Sequence, residues 1–440
     1  MPDLPIFFER RLVGTIEVDK TGPGFRYSPD WLLTPGAFPI STRIPLGPEW
    51  IGPDIFVPWA ANLMPESEQL RVVGQFFGTS TSDIVGILKE IGRDTAGALS
   101  IGGPSSVSPD NWRPVTSDAD LERILNELPK KPFLVGEEGV SMSLAGVQTK
   151  LAVAVDGEGR ICIPTNGSPS THILKPDSER LWGGVQNEAF CLTLARRLGG
   201  KVPDLTTGRA GNRSYLLVKR YDRVRVDRRW RRLHQEDFCQ ALGKPPSAKY
   251  EANNTGTRGP TLKDMFDLAQ QKLPVTDVPR LLDMLIVNII ACNTDAHAKN
   301  YSLMIDAKGA TLAPIYDIMC GEVWPDVTKN LAQKVAGKAR GDHLKGRHWQ
   351  RMARECGLNP RLVLARVATL ATEVLERSAD AEREVESMPA GTHSTLPRVR
   401  QAVEARARAL IAGLRELEPK PIAKDEKPEE ADAAVPGFPG

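Results

Sequence analysis

The sequence predicts an α+β fold in which a strand-rich part precedes a mostly helical part. From about residue 140 the pattern is one of short strands with helices between them. After about residue 260 helical patterns dominate, apart from one expected hairpin. The first hundred or so residues are rich in Pro, Gly and aromatic residues, and they indicate a separate α/β subdomain. We therefore expect regions at 1–135, 136–245 and 246–417, followed by a tail at 418–440.

In the first region, residues 6–18 are typical of two short strands joined by a turn. Short helices are expected at 70–77, 83–91 and 121–128, and the Pro residues at 129 and 132 end the third helix. The Pro, Ser and Asn residues of 103–111 predict a loop.

In the second region, strands are expected at 151–155, 160–163, 171–175 and 214–221. An amphipathic helix at 187–198 should end at Gly199-Gly200. The third region predicts a hairpin at 302–312 and helices near 261–272, 278–292, 347–356, 360–380 and 396–416. The tail from 418 is charged and Pro-rich with few large apolar residues, so we expect it to be disordered.

The composition is that of an ordinary soluble protein. Of the 440 residues, 41% are hydrophobic and 25% charged, and 57 basic residues nearly balance 55 acidic ones. This balance argues against a protein whose main task is to coat nucleic acid or a membrane. No apolar run reaches 18 residues, and the first residues lack the pattern of a signal peptide. Six scattered cysteines without a CxxC pair predict reduced, buried thiols in a cytoplasmic protein.

The segment Asn293-Thr-Asp-Ala-His-Ala-Lys-Asn-Tyr301 carries the strongest functional signal. It follows the apolar run 281–292, which has the spacing of a buried helix, so the polar residues emerge where a core element ends. Asp295 precedes Asn300 by five residues, which is the spacing of a protein-kinase catalytic loop. In that loop the Asp accepts the proton of the acceptor hydroxyl and the Asn holds magnesium. Alternatively, Asp295 caps a helix, and His297 and Lys299 are solvated.

Asp317 is an acidic residue inside the apolar segment 312–319. A buried carboxylate is costly unless it is paired or binds a metal. It follows Asn300 by 17 residues with an expected hairpin between, where a kinase places its second magnesium ligand. A buried salt bridge to an arginine is the alternative.

Lys175 ends an expected strand, and Asn187-Glu188 follows twelve residues later at the start of a helix. A phosphate-contacting lysine paired with a helix glutamate has this arrangement in kinases. The alternative is an exposed strand-end lysine and a glutamate that the helix dipole favours.

Two further segments give weaker signals. Ser141-Met-Ser-Leu-Ala-Gly-Val-Gln-Thr-Lys150 has small residues around Gly146 that would let backbone amides approach phosphate, although a simple turn before a strand also fits. It lacks the Walker A spacing. The basic run Arg223-Val-Arg-Val-Asp-Arg-Arg-Trp-Arg-Arg232 is interpreted as a solvated hairpin, with contact to nucleic acid or an acidic partner as the alternative.

Together these segments resemble the HipA family of bacterial serine/threonine kinases, the toxins of HipBA-type toxin–antitoxin modules. The resemblance covers about residues 3 to 415 and rests on the ordered combination of ten motifs. They are Asn62-Leu-Met-Pro65, Ile91-Gly-Arg-Asp-Thr-Ala-Gly97, Ser143-Leu-Ala-Gly-Val-Gln-Thr-Lys150, Thr171-His-Ile-Leu-Lys-Pro176, Asn187-Glu188, Val218-Lys-Arg-Tyr-Asp-Arg223, Leu233-His-Gln-Glu-Asp-Phe-Cys-Gln-Ala-Leu242, Lys249-Tyr-Glu251, Asn293-Thr-Asp-Ala-His-Ala-Lys-Asn300 and Pro314-Ile-Tyr-Asp317.

The resemblance implies a protein-kinase-like two-lobed fold with an N-terminal subdomain. It also implies ATP and Mg2+ as ligands and a protein serine or threonine as the acceptor. Some members phosphorylate aminoacyl-tRNA synthetases and so arrest growth. The usual partner is a small helix-turn-helix antitoxin that binds operator DNA.

The resemblance also implies roles for individual residues. Asp295 would be the catalytic base, Asn300 and Asp317 would hold magnesium, and Glu188 would pair with Lys175. Ser143 matches an autophosphorylated serine, and Ser141 resembles the second serine found in some members. The strand around Lys219 to Tyr221 would supply the hinge that faces adenine. Position 219 is a lysine here and departs from the acidic residue associated with this hinge in the family. Backbone contacts to adenine would survive that change, whereas the resemblance does not carry over a side-chain contact. The expected ATP-binding residues are Ala145, Gly146, Val147, Gln148, Lys150, Lys175, Lys219, Arg220, Tyr221, His297 and Lys299.

Two other functions fit the same residues. The chain could be a catalytically weak kinase fold that acts mainly as a corepressor with its antitoxin, although the retained polar residues argue against this. It could also be a metal-dependent hydrolase that uses the same carboxylates. Such a hydrolase needs no nucleotide pocket, so an ATP-dependent thermal shift would distinguish it from a kinase.

Overall fold

A computed structural model describes residues 3–106, 111–227 and 229–417. The N-terminal part contains a four-stranded antiparallel sheet in the order β3-β2-β1-β4. Its strands are β1 (Leu4–Phe8), β2 (Arg11–Asp19), β3 (Gly22–Tyr27) and β4 (Leu99–Ile101). Four helices accompany it: α1 (Pro29–Leu32), α2 (Pro53–Ala61), α3 (Ser67–Phe77) and α4 (Ile84–Ile91). Of these, α1 packs against β2 and α2 against β3. Aromatic side chains such as Phe25, Trp31 and Phe56 are fully buried and form the core of this part.

A six-stranded sheet follows, in the order β5-β7-β6-β8-β10-β9, and every neighbouring pair is antiparallel. Its strands are β5 (Trp112–Pro114), β6 (Leu151–Val155), β7 (Ile161–Pro164), β8 (His172–Pro176), β9 (Leu205–Ala210) and β10 (Arg213–Lys219). The accompanying helices are α5 (Asp118–Glu127), where Ser117 accepts the N-cap hydrogen bond, and α6 (Gly184–Arg197).

The remainder is mainly helical. The helices are α7 (Phe238–Ala241), α8 (Leu262–Lys272), α9 (Asp277–Ile290), α10 (Gly346–Glu355), α11 (Pro360–Glu386) and α12 (Leu396–Gly413). The long helix α11 packs against α6, α9, α10 and α12, so it joins the helical part to the helix that lies on the six-stranded sheet. Small antiparallel sheets are formed by β11 (Arg223–Val226) with β12 (Arg229–Arg232), by β13 (His234–Asp237), β14 (Ser302–Asp306) and β15 (Gly309–Leu312), and by β16 (Asn330–Val335) with β17 (Lys338–Arg340).

Buried helix α9 positions the polar segment that follows it. Its residues from Met284 to Ile290 are all buried, and the helix ends just before Cys292, whose φ is 56°. The chain then runs through residues 293–301 to β14. Because α9 and β14 are both anchored in the core, the segment between them is held at both ends.

The structure confirms most of the elements predicted from sequence. The hairpin at 302–312 is β14–β15, and the five predicted C-terminal helices are present, with α11 extending to Glu386. The predicted helix 187–198 begins earlier, at Gly184, after Gly183 turns the chain with a φ of 71°. All six cysteines are free and buried, as expected. The tail from 418 and part of the predicted loop at 103–111 lie outside the described residues.

The interpretation of 223–232 as a solvated hairpin is only partly right. The segment forms the β11–β12 hairpin, and residues 224–227 are exposed. However, Arg223 and Arg232, at the base of the hairpin, are buried and form ion pairs with Asp94 of the N-terminal part. No helix in the described part of the chain is long and apolar enough to cross a membrane.

Candidate functional site

A cleft of about 650 Å³ brings together the residues singled out in the sequence. This volume lies within the usual range for small-molecule sites, roughly 300–1,000 Å³. Ser141 and Ser143 are not among the lining residues. The predicted residues that line the cleft are Ala145, Gly146, Val147, Gln148, Lys150, Lys175, Glu188, Lys219, Arg220, Tyr221, Asp295, His297, Lys299, Asn300 and Asp317.

Lys175, Glu188 and Asp317 form a charged cluster in the cleft, in which Lys175 and Glu188 are buried and Asp317 is partly exposed. The Nζ atom of Lys175, on β8, lies 2.7 Å from Oε1 of Glu188, on α6, and 2.5 Å from Oδ1 of Asp317. Burial alone would lower the pKa of Lys175, but the two carboxylates outweigh it and raise that pKa. Lys175 is therefore a cation at neutral pH that links the sheet, helix α6 and the segment after β15.

Asp317 has an unusual backbone conformation and remains ionised. Its φ is 58°, which is strained for a residue other than glycine and is held by its surroundings. Burial would raise its pKa, but Lys175 and Lys150 outweigh that effect and hold the pKa well below its usual range. The partner of this carboxylate is a lysine, so the salt bridge to an arginine considered as an alternative is not formed.

Asp295 projects into the cleft from a braced loop. Its side chain is 61% exposed, and its backbone N–H donates to Oδ1 of Asn293 at 3.1 Å. The Nδ2 atom of Asn300 donates to the backbone oxygen of Asp295 at 2.8 Å, which closes the loop on itself. The hydroxyl of Tyr250 donates to Oδ1 of Asp295. Partial desolvation by the cleft walls raises the pKa of Asp295, although the Tyr250 hydroxyl opposes that shift.

His297 lies beside Asp295 and is neutral. Its Nε2 atom is 3.9 Å from Oδ1 of Asp295, and the ring is buried. Burial, together with the nearby charge of Lys249, moves the pKa of His297 well below its usual value. Among the described residues, its buried Nδ1 atom has no hydrogen-bond partner.

Lys299 lies on the same loop, but its ammonium group is engaged elsewhere. Nζ donates to the backbone oxygen of Asn62 at 3.1 Å, to Oδ1 of Asn62 at 2.6 Å and to Oδ2 of Asp237 at 3.1 Å. These contacts use all three donors of the ammonium group. In this conformation the side chain therefore fastens the loop to the N-terminal part of the chain.

The segment 141–150 borders the cleft, and its residues from Leu144 to Lys150 form a rim that lines it. Gly146 has a φ of 104°, and a Cβ atom there would lie 2.9 Å from Nζ of Lys150. This Nζ atom donates to the backbone oxygen of Ala145 at 2.7 Å. Ser143 is fully buried, and its hydroxyl donates to the backbone oxygen of Leu63 at 2.7 Å. The hydroxyl of Ser141 similarly donates to the backbone oxygen of Glu90 at 2.6 Å.

Residues 219–221 lie at the edge of the cleft, where Lys219 is the last residue of β10. Lys219 is exposed, and its Nζ atom lies 3.1 Å from Asp204. Arg220 is buried and pairs with Asp222 at 2.7 Å. The hydroxyl of Tyr221 donates to Gln235. The side chains of Arg220 and Tyr221 are thus committed to protein contacts. The backbone N–H groups of Lys219 and Arg220 donate to the backbone oxygens of Asp204 and Thr171, so only the remaining backbone groups of this segment can face a ligand.

Sequence reasoning assigned no role to several residues that shape the site. Tyr250 and Lys249 belong to a motif that carried the family resemblance, but no spacing rule places them beside Asp295. Glu66 contacts Lys249 at 2.7 Å from the N-terminal part, and Asn62 contacts Lys299. These contacts join positions about 180 and 240 residues apart, so local patterns contain no signal for them.

Comparison with known proteins identifies the family. Residues 4–102 match the HipA N-terminal domain, and residues 142–378 match the HipA-like C-terminal domain. The chain belongs to the HipA family. It is 37% identical over 390 residues to the putative kinase Y4mE of Sinorhizobium fredii, a match that covers 86% of this chain and 91% of that protein.

A relative and a solved structure, both from Shewanella oneidensis, extend the comparison. The serine/threonine-protein kinase toxin HipA is 30% identical over 337 residues, covering 74% of this HipA-family chain and 76% of that protein. A solved structure of HipA, HipB and their operator DNA contains a chain that matches with a TM-score of 0.79 and 25% identity, covering 94% of this chain and 98% of that one. The fold is therefore the kinase-like fold of HipA, as the sequence predicted.

Proposed function

We propose that this protein is an ATP- and magnesium-dependent serine/threonine kinase that acts as the toxin of a type II toxin–antitoxin system. One observation carries the proposal: Lys175 joins Glu188 and Asp317 in the same cleft into which Asp295 projects. Phosphoryl transfer depends mainly on positioning and charge stabilisation, and this arrangement offers both.

Magnesium fits the donor set at Asn300 and Asp317. Both offer oxygen atoms, which magnesium prefers, and the amide nitrogen of Asn300 is engaged by Asp295, which orients its oxygen as the atom available to a cation. The described residues hold no cluster of three or more His, Cys, Asp or Glu side chains suited to a metal. A site with two protein ligands completed by ATP phosphates is usual for magnesium. When bound, the ion would neutralise phosphate charge.

The remaining residues would bind ATP and manage the acceptor proton. Lys175 and Lys150 would supply positive charge for the phosphates, and the residues around Gly146 line the same cleft, where their amides could approach phosphate. Asp295 would accept the proton of the acceptor hydroxyl while the hydroxyl oxygen takes the phosphoryl group and ADP leaves. The backbone of 219–221 would contact adenine.

The family and its relatives support the cellular role. A relative is named a serine/threonine-protein kinase toxin, and a similar structure contains HipB and operator DNA. We therefore propose a helix-turn-helix antitoxin as the partner, with operator DNA bound through that complex. The acceptor would be a translation-related cytoplasmic protein, with an aminoacyl-tRNA synthetase as the first candidate.

Autophosphorylation of Ser143, with Ser141 as a second candidate, would switch the kinase off. Ser143 is buried and bound to Leu63 in this conformation, so segment 141–150 would have to leave its place before Ser143 could accept a phosphoryl group. A phosphate carries about −1.5 to −2 charges and could not return to that buried position without a basic partner.

Labelled ATP and a cell lysate test the proposal directly. The wild-type protein with magnesium should label a lysate protein and itself, and expression should arrest growth. Asp295→Asn should keep the fold and lose both effects, because an amide cannot accept the acceptor proton. Equal labelling by wild type and Asp295→Asn would contradict the catalytic assignment, and mass spectrometry of Ser143 would test the self-modification.

A further inference from the structure

Tyr250 makes a direct contact with the proposed catalytic base that the function above does not use. It belongs to Lys249-Tyr-Glu251, lines the cleft, and its hydroxyl donates to Oδ1 of Asp295. No other hydroxyl in the described part of the chain forms a hydrogen bond with this carboxylate. The side chain of Asp295 is 61% exposed, which leaves its other oxygen, Oδ2, open to the cleft.

The ring of Tyr250 contacts two neighbouring side chains. It meets the buried ring of His297 edge to face, with centroids 5.1 Å apart and planes at 85°. The ammonium group of Lys249 lies 5.6 Å from the ring centroid. Lys249 is itself fixed by Glu66, 2.7 Å away. A charge from the N-terminal part of the chain thus braces the residue that touches Asp295.

The backbone around Tyr250 is also fixed. The carbonyl of Lys249 accepts the N–H of Ala298 at 3.2 Å, which ties the segment to the loop that contains Asp295. The N–H of Glu251 donates to Ala332 at 3.0 Å. A Cβ atom on Gly259 would lie 1.9 Å from the carbonyl oxygen of Tyr250, so the chain segment around Gly259 packs directly against this residue. Tyr250 therefore has little freedom to leave the base.

We propose that Tyr250 is a positioning residue that fixes Oδ1 of Asp295, so that Oδ2 faces the acceptor hydroxyl. The inference rests on the proposed kinase function. The torsion that turns a carboxylate is broad and roughly two-fold, so an exposed aspartate without this contact samples many orientations. A base that must meet an incoming hydroxyl at hydrogen-bond distance gains from being held in one of them.

Tyr250→Phe removes the hydroxyl and keeps the ring. With magnesium-ATP and myelin basic protein as the acceptor, we expect kcat to fall by about 10- to 100-fold, the order that misplacement of a reacting group costs. The KM values for ATP and acceptor should stay within about two-fold, because only the orientation of the base changes. The melting temperature and the thermal shift with magnesium-ATP should match those of the wild type.

Two comparisons separate positioning from a general structural effect. Tyr215→Phe removes a hydroxyl from β10 outside the cleft and should leave kcat unchanged. Single-turnover incubation at high enzyme concentration measures the residual rate of Asp295→Asn above the rate without enzyme. In that background Tyr250→Phe should cause no further loss, since it acts through Asp295.

Three results would overturn the inference. They are wild-type kcat in Tyr250→Phe, a faster rate that would mark Tyr250 as a block on the acceptor site, or a further full loss in the Asp295→Asn background. Absence of transfer by the wild-type protein to this acceptor, to itself and to lysate proteins would instead refute the proposed kinase function.

Discussion

The ammonium group of Lys150 shows how neighbouring charges set the behaviour of a single residue. It lies at the cleft rim, only 9% exposed. Burial lowers its pKa to about 8, with Lys175 adding to the effect and Asp317 opposing it. Lys150 is therefore partly deprotonated just above neutral pH, unlike Lys175, which its carboxylate partners keep charged.

ATP affinity should consequently depend on pH through Lys150. ATP phosphates favour the charged ammonium group, so nucleotide binding above pH 8 must be accompanied by proton uptake. The expected result is an ATP Kd that is flat from pH 6.5 to 7.5 and rises by up to about ten-fold per pH unit above 8. Isothermal titration in two buffers of different ionisation enthalpy measures both the Kd and the proton uptake. Lys150→Met should bind more weakly and show no such rise, and an equal rise in this variant would assign it to another group.

Asp317 allows a second test at the level of one residue. Asp317→Asn keeps the size of the side chain but removes the charge that the proposed magnesium site needs. Nucleotide binding should lose its dependence on magnesium, as measured by ATP titration with magnesium or with EDTA. The matched control is Asp326→Asn, an exposed aspartate nine residues along the chain, which should keep the dependence. A full magnesium response in Asp317→Asn would make Asp317 structural.

At the scale of elements, segment Asn62–Gln69 connects the two loops of the site. Leu63 accepts the Ser143 hydroxyl, Pro65 pairs with Gly146, and Nε2 of Gln69 donates to the backbone oxygen of Val147 at 2.8 Å. From the same segment, Asn62 binds Lys299 and Glu66 binds Lys249. The N-terminal part is thus fastened to both the rim of the cleft and the loop that carries Asp295.

Loss of a contact between segment Asn62–Gln69 and the cleft rim should make the rim residues more mobile. Gln69→Ala removes one buried hydrogen bond, worth about 0.5–1.5 kcal/mol, so amide hydrogen exchange in 143–150 should become up to about ten-fold faster. ATP affinity should fall with it. Gln75→Ala changes an exposed glutamine on the same helix and should leave exchange of the rim unaltered. Unchanged exchange in Gln69→Ala would mean that the rim is held by other contacts.

The elements also show what sequence reasoning can and cannot reach. Helices α8 to α12 and hairpin β14–β15 follow from apolar periodicity, which is a local property. Strands such as β13, whose pairing partner β14 lies about 65 residues away, carry no local signal of that pairing. The same holds for the candidate site. Spacing singled out Asp295, Asn300 and Asp317, which line one cleft, whereas the contacts of Tyr250 and Lys299 depend on distant segments meeting.

Across the whole molecule, a buried charged network joins the N-terminal part to the segment after β10. Asp94 lies 2.8 Å from Arg223 and 3.3 Å from Arg232, and Asp222 lies 2.7 Å from Arg220. The side chains of these five residues are all at most 4% exposed. Because Arg220 immediately follows Lys219 at the edge of the cleft, the network fixes the position of that edge relative to the N-terminal sheet.

Loss of Asp94 should therefore destabilise the whole protein. Burial would raise its pKa, but the guanidinium groups of Arg232, Arg223 and Arg220 outweigh it and hold that pKa well below the usual range. Asp94→Asn would leave buried cations without their counter-charge, so the free energy of unfolding should fall by about 3–5 kcal/mol at pH 7, as measured by urea denaturation. Asp204→Asn breaks an exposed pair with Lys219 and should cost less than about 1 kcal/mol.

The pH dependence of the difference in unfolding free energy between wild type and Asp94→Asn shows whether the charge of Asp94 causes it. A carboxylate whose pKa is depressed in the folded state stabilises the protein fully above its unfolded pKa of about 3.9, and this contribution is lost as the pH falls through the folded value. The gap between wild type and Asp94→Asn should therefore remain constant from pH 7 to 5 and shrink below about pH 4. A gap that persists unchanged at pH 2.5 would show that Asp94 acts through packing or hydrogen bonds, and that its charge does not hold the arginines together.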